Sequence, residues 1–241
     1  MKHLRLVYLF ILVLGSHPIL ASDFSMFFSK ADAFFKENIK DGRVDYETIA
    51  KNPKTLDELI GIAEELRTSP SNVAEYQAFW INSYNLLVIK GIIKNYPLKS
   101  PLDVKGFFEK IQYQVGGQSL TLNDIENNLL RKVFPNESRF HFVLVCAGLG
   151  CPPIISKAYK PDTLDAQMEE QTKLAINNPD FIRIKGKKVG ISQLFEWYAE
   201  DFTRGGKSML QYINQYRNEK LNNDAKLYYY PYDWRLNDTK I

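Results

Sequence analysis

Apolar residues recur along this chain with a helical period in some stretches and with strict alternation in others. Between residues 25 and 38, Phe27, Phe28, Phe34 and Phe35 fall largely on one face of an expected helix. Asp41-Gly42 breaks that period, and Val44-Asp45-Tyr46 gives a short extended link before a second helical stretch over 56–66. Ser69-Pro70-Ser71 is a breaker. The strongest helix follows, over about 73–95. Asn72 is expected to cap it, and Glu75 at the third helical position completes a capping box that satisfies free backbone donors. It stops before Pro97, because a residue preceding proline disfavours helical geometry. Val73, Phe79, Trp80, Leu86, Leu87, Ile89 and Ile92 surround most of the cylinder, which predicts a central, buried helix.

Further on, 107–115, Gly116-Gly117 and 118–120 read as a hairpin, because paired glycines accept the positive φ of a tight turn. Thr121 is placed to cap a helix over 122–133, and the apolar run 140–145 reads as a strand. A helix over 161–176 follows, with proline at its first position. Two short alternating runs flank Gly186 as a second hairpin, and Ser192 is placed to cap a helix through Phe202. Gly205-Gly206 ends it, 209–221 reads as helix, and the tail 228–237 is aromatic and irregular. This order predicts one α+β domain: a central buried helix packed with a small, mostly antiparallel sheet and surrounding helices. The expected organisation is a leader over 1–21, an N-terminal helical segment over 22–70, and the α+β core over 71–241.

The leader is read from Lys2 and Arg5, an apolar core over 6–14 and a small-residue exit at Leu20-Ala21. It predicts an exported protein, periplasmic or secreted, with no membrane span once the segment is removed. Its apolar run is short of the roughly 20 residues an ordinary span needs, although Ile19 makes the exit imperfect and an uncleaved anchor stays open. Removing Lys2 and Arg5 from the 31 basic residues leaves 29 against 28 acidic ones. That balance leaves no electrostatic footprint for nucleic acid. Two cysteines and a single histidine beyond the leader exclude a histidine-rich zinc site, and no metal or cofactor is expected.

Both cysteines and that histidine lie in one stretch, Arg139-Phe-His-Phe-Val-Leu-Val-Cys-Ala-Gly-Leu-Gly-Cys-Pro-Pro153. On a regular strand His141 and Cys146 would face opposite sides and sit about 16 Å apart. Cys146 therefore reads as a small buried residue rather than a partner of His141. Cys151 sits in a glycine-bearing loop where a thiolate could be activated, but the loop would have to double back to reach His141. A Cys146–Cys151 disulfide is the competing reading, in keeping with an even cysteine count in an exported chain. Asn82 and Asn85 lie side by side on the central helix. They are expected first to hold the backbone of a loop, and otherwise to line a cleft. Asp124, Glu126 and Arg131 read as caps and surface ion pairs, and Glu196, Glu200 and Asp201 as a solvated helix face. Walker, Gly-x-Ser-x-Gly and His-Glu-x-x-His motifs are missing from the sequence.

Several segments together resemble the family called domain of unknown function 547. They are Phe79-Trp-Ile-Asn-Ser-Tyr-Asn85, Ser119-Leu-Thr-Leu-Asn-Asp-Ile-Glu126, Arg139-Phe-His-Phe-Val-Leu-Val-Cys146, Gly150-Cys-Pro-Pro153 and Tyr232-Asp-Trp-Arg-Leu-Asn237. The resemblance spans about 79–237. Asn127 departs from it, where a histidine would follow Ile-Glu, and so does Gly150, where a serine often precedes the cysteine. The resemblance implies fold and export more than activity, and adds a core similar to the papain or transglutaminase class, which implies thiol chemistry.

Two functions are compatible with these residues. One is a non-catalytic domain binding a small molecule, peptide or envelope protein between the central helix and the loop after the 140–145 run. The other is a thiol-dependent hydrolase or acyltransferase with Cys151 as nucleophile and His141 as base, and Asn82 or Asn85 orienting. Glu126 joins the asparagines as a candidate binding residue. The binding reading is preferred, because the Cys–His spacing fails on a regular strand.

Overall fold

The computed structural model describes residues 19–240. The basic start and apolar core of the expected leader lie outside them. Helix α1 (Ile19–Asn38) runs into a two-residue ribbon, β1 (Ile39–Lys40) and β2 (Arg43–Val44). The ribbon turns through Asp41 and Gly42, both at positive φ. Two further helices follow, α2 (Tyr46–Lys51) and α3 (Lys54–Glu65). Asp45 caps α2 by accepting from the Thr48 N–H at 3.1 Å.

Helix α4 (Val73–Ile93) is the centre of the molecule, and nearly every residue from Tyr76 to Ile92 is buried. The all-round apolar pattern has this cause: α4 is packed on several sides at once. Phe24 and Phe27 of α1 meet Phe79 with ring centroids at 5.7 and 5.3 Å. The expected capping box is not formed, since the Asn72 side chain makes no cap hydrogen bond. Tertiary burial rather than a terminal cap fixes this helix.

The first hairpin is shorter than expected, with β3 (Tyr113–Val115) paired to β4 (Gln118–Leu120) around Gly116 and Gly117. Both glycines are at positive φ. The next helix is widened over Asp124–Arg131 into a π-helix, with the Lys132 N–H reaching back to the Asn127 carbonyl at 3.0 Å. Thr121 caps it through the Asp124 N–H at 3.0 Å.

The expected strand over 140–145 does not exist. Ser138–Phe142 is a 3-10 turn, and the following residues carry no ladder. A continuous apolar run suits a buried turn as well as a buried strand, so the alternation of faces inferred for His141 and Cys146 does not apply. Helix α5 (Leu164–Asn177) leads to a second hairpin, β5 (Ile182–Lys185) and β6 (Lys188–Ser192). Short helices α6 (Leu194–Trp197), α7 (Ala199–Thr203) and α8 (Met209–Tyr216) come next. Part of the tail, expected to be irregular, is strand β7 (Lys226–Tyr230), which pairs in parallel with β6 in register Gly190–Tyr228.

The result is an α+β domain with small antiparallel and mixed sheets. One apolar cluster gathers α1, α3 and α4, and a second joins Phe142, Phe181, Phe195, Phe202 and Tyr212 beside the three-stranded sheet. Phe142 belongs to the second cluster, and the residues that follow it, from Val143 to Cys151, pack in the first. Among the described residues, no helix is long and apolar enough to cross a membrane.

Candidate functional site

The two asparagines of α4 are fully engaged with backbone. Asn82 Nδ2 donates to the carbonyls of Ala78 and Tyr159, both at 2.7 Å, and its Oδ1 accepts the Tyr159 N–H at 3.0 Å. Asn85 Nδ2 donates to the Val143 carbonyl at 3.0 Å, and its Oδ1 accepts the Val145 N–H at 2.9 Å. Each amide replaces the ladder bonds that a strand would have supplied to an irregular buried segment. Neither has a donor or acceptor aimed at a cleft in this arrangement. The two residues act by shaping the 143–159 segment.

Beyond Val145 the chain makes the loop that holds both cysteines, and Cys146 and Cys151 are joined in a disulfide. This overturns the thiol-hydrolase reading: Cys151 has no free thiol to act as a nucleophile. The C-terminal segment clasps the loop. The N–H of Leu149 donates to the Arg235 carbonyl and that of Gly150 to the Asp233 carbonyl, both at 2.8 Å, while the Asn237 N–H returns to Ala147 at 2.9 Å. Gly150 is required by this closeness: a Cβ there would lie 2.8 Å from the Asp233 nitrogen. The hydroxyl of Tyr232 lies 2.9 Å from the sulfur of each cysteine. The Tyr232 ring packs at a tilt against Trp197 and Trp234, with centroids at 5.1 and 4.7 Å.

His141 is buried and belongs to a different cluster. Its Nε2 lies 2.8 Å from Asp201 Oδ2, which also accepts from Arg131 Nε at 2.7 Å. The imidazole lies at a tilt against the Tyr198 ring, centroids 4.0 Å apart, and the Arg131 guanidinium sits 4.7 Å from the same ring. Burial pushes the Asp201 carboxyl up, but hydrogen bonds from His141 and Arg131 outweigh it and hold the group well below the usual carboxylate range. Asp201 was expected on a solvated face. It is instead turned inward, while Glu196 and Glu200 of that set are exposed.

Glu126 is no surface residue either. It accepts the Tyr198 hydroxyl at 2.7 Å, and its charge acts on the buried phenol of Tyr84. Burial, then the Glu126 charge, keeps both phenols well above their ordinary pKa, so they serve as neutral donors. Arg131 also reaches Asn127, at the position where the family resemblance leads to a histidine. His141, Asp201, Arg131, Tyr198 and Glu126 therefore form one network of hydrogen bonds and ring contacts, which Arg204 joins at Asp201 Oδ1. Sequence spacing could not announce it, because His141 and Asp201 lie 60 residues apart.

Open space lies on the other side of the disulfide loop. A groove of about 940 Å³ runs between the β1–β2 turn, the 152–160 segment and α5. Its apolar wall includes Ile39, Pro153, Ile154, Ile155 and Leu174. It continues into a polar cavity of about 450 Å³ that shares Asp41, Gly42, Pro152 and Pro153 and reaches Cys151. None of His141, Asn82, Asn85 and Glu126 lines either space. Both spaces lie apart from the side chains expected to line a cleft beside the central helix. Among the described residues no group of three histidine, cysteine, aspartate or glutamate side chains is arranged to hold a metal ion.

A buried helix whose asparagines clamp an irregular loop is thus the framework of an α+β domain. Residues 69–174 of the chain match the family described as Protein of unknown function, DUF547. No curated protein and no solved structure matches the chain. The matched span includes Asn82, Asn85, Glu126, His141 and both cysteines. It stops short of Tyr198, Asp201 and Tyr232, which complete their surroundings.

Proposed function

We infer that the protein is a non-catalytic binding domain whose ligand is an extended, peptide-like chain held in the groove beside the disulfide loop. The observation that carries this reading is the groove wall itself. Among the described residues, the backbone N–H groups of Ile155, Ser156 and Lys157 have no hydrogen-bond partner within the protein. They lie in a segment that is neither helix nor strand and that lines the groove. Free backbone donors next to apolar side chains match the way an extended peptide is bound, with its own backbone pairing and alternate side chains filling pockets. The charged lining is Asp32, Asp41, Asp162 and Glu170 against Lys157 and Lys160, a net acidic set that favours a peptide carrying basic side chains.

The test is selection of a displayed random heptapeptide library on the immobilised protein, followed by calorimetric titration of the enriched peptides. Leu174, 58% exposed on the groove wall, can be changed without disturbing the core. Leu174→Lys is expected to weaken binding at least about tenfold, which corresponds to about 1.4 kcal/mol. Failure of the library to enrich any sequence, or peptides that bind the variant as well as the parent, would reject the groove as the site.

A further inference from the structure

The disulfide has three properties that a purely structural cross-link does not need. First, the loop it closes is already fixed by other bonds. Leu149, Gly150 and Asn237 tie it to the C-terminal segment, Val145 is held by Asn85, and the Cys151 N–H returns to the Gly148 carbonyl at 3.1 Å. The frame therefore persists when the sulfur–sulfur bond is open. Second, the sulfur of Cys151 is supplied with hydrogen-bond donors. The Cys146 N–H lies 2.9 Å from it, and the Tyr232 hydroxyl is at the same distance. Burial, then the neighbouring Tyr198 and Glu126, keeps the Tyr232 phenol well above its ordinary pKa, so it remains a donor. Third, the pair is accessible. Cys146 is only half-buried, and Cys151 borders the 450 Å³ cavity.

We propose that Cys146 and Cys151 form a thiol–disulfide exchange centre, opened inside the native fold by a small thiol and closed again by the corresponding small disulfide. This is independent of what the groove binds, and it involves no acyl transfer or hydrolysis. In the opening step a thiolate attacks the Cys146 sulfur. A bond forms between the incoming sulfur and Cys146, the Cys146–Cys151 bond breaks, and its electron pair leaves on Cys151. The two donors receive that charge, and a stabilised leaving thiolate departs faster. A second small thiolate then attacks the incoming group's sulfur in the mixed disulfide and expels Cys146. Two small thiols are thereby oxidised to one disulfide, the protein pair is reduced, and the two protons released by the thiols are available to the cysteines. Closing is the same sequence reversed.

The charged groups lining the cavity beside Cys151 are Arg43, Arg183 and Arg235 against Asp41, Asp180 and Asp233. Their signs balance, with Arg235 held by Asp233 at 2.6 Å. The two hydrogen bonds are accordingly the specific feature that favours the Cys151 thiolate.

The experiment equilibrates the full chain in glutathione buffers of stepped reduced-to-oxidised ratio, traps thiols by alkylation, and reads them by mass spectrometry beside circular dichroism. The pair is expected to open while the folded signal is unchanged. In Cys146→Ala, the rate of Cys151 alkylation against pH should have its midpoint at least about one unit below the 8.5 of a free cysteine. Adding Tyr232→Phe should move that midpoint upward. If Cys146→Ala does not fold, the same pH profile is taken on reduced wild-type protein with the two sites resolved by peptide mapping. A disulfide that opens only together with unfolding, or a Cys151 midpoint at or above that of a free cysteine, overturns the proposal.

Discussion

His141 and Asp201 are partners: the imidazole Nε2 and the carboxylate Oδ2 are 2.8 Å apart, in a network that also commits Arg131 to the same oxygen. The expected partner of Cys151 is therefore paired instead with a carboxylate on α7. Its role is to hold α7 against the turn at Ser138–Phe142.

Asp201→Asn is expected to lower stability at neutral pH by about 1–3 kcal/mol, the range for leaving hydrogen-bonded charged partners unsatisfied. The sign of the pH dependence follows from the direction of the shift. The folded carboxyl is held below its unfolded value of about 3.9, so its contribution is present above that pH and is lost on acidification through the folded pKa. Urea unfolding of both proteins from pH 7 to pH 2 should show the gap between them closing below about pH 4. A gap that stays constant over that range would contradict the network.

Asn85→Ala removes a donor from the Val143 carbonyl and an acceptor from the Val145 N–H, both buried. Each abandoned group costs about 1–3 kcal/mol. The denaturation midpoint should fall accordingly, and hydrogen exchange of the Val145 amide should accelerate more than that of amides inside α4.

Gly42 and Gly205 separate two costs. Both are at positive φ, but a Cβ on Gly42 would lie 2.4 Å from the Pro153 Cβ, whereas one on Gly205 would meet nothing within 4 Å. Gly205→Ala should cost about 1–2 kcal/mol, the usual left-handed backbone term. Gly42→Ala should cost more in a thermal melt, and it should also disturb peptide binding, since Gly42 lines both spaces of the groove.

Tyr46→Phe deletes one hydroxyl, which donates to Asn237 Oδ1 at 2.7 Å in the buried interior. A loss of about 1–2 kcal/mol is expected, the scale of a buried polar group left unpaired. A melt unchanged within about 0.3 kcal/mol, close to the noise of additivity tests, would show that the tail is held without this bond.

Local periodicity makes the helical framework readable in the sequence. The buried cylinder of α4 and the glycine-centred hairpins each arise from residues close in sequence. What escaped depends on distant partners. The run from Phe140 to Val145 looked like a strand because its apolar content is continuous, but Asn85 supplies its hydrogen bonds from α4 and no neighbouring strand is needed. Strand β7 was hidden because its partner β6 lies across three intervening helices and runs parallel to it. Asp201 offered no sign of burial, as its neighbours Glu196 and Glu200 are exposed. The asparagine pair was legible as a loop clamp. The groove was not, since its wall is an irregular segment without a periodic signature.

The C-terminal segment that clasps the disulfide loop also ties the order of synthesis to the order of folding. Asn237 and Thr239 exchange backbone bonds with Val44, Leu236 donates to Lys99, and Asn237 reaches Ala147. A chain emerging at about 5–20 residues per second therefore waits roughly 10–40 seconds between making β2 and making the residues that close around it. Through that interval the N-terminal ribbon and the cysteine loop lack their shared partner, so native cysteine geometry is completed among the last events of folding.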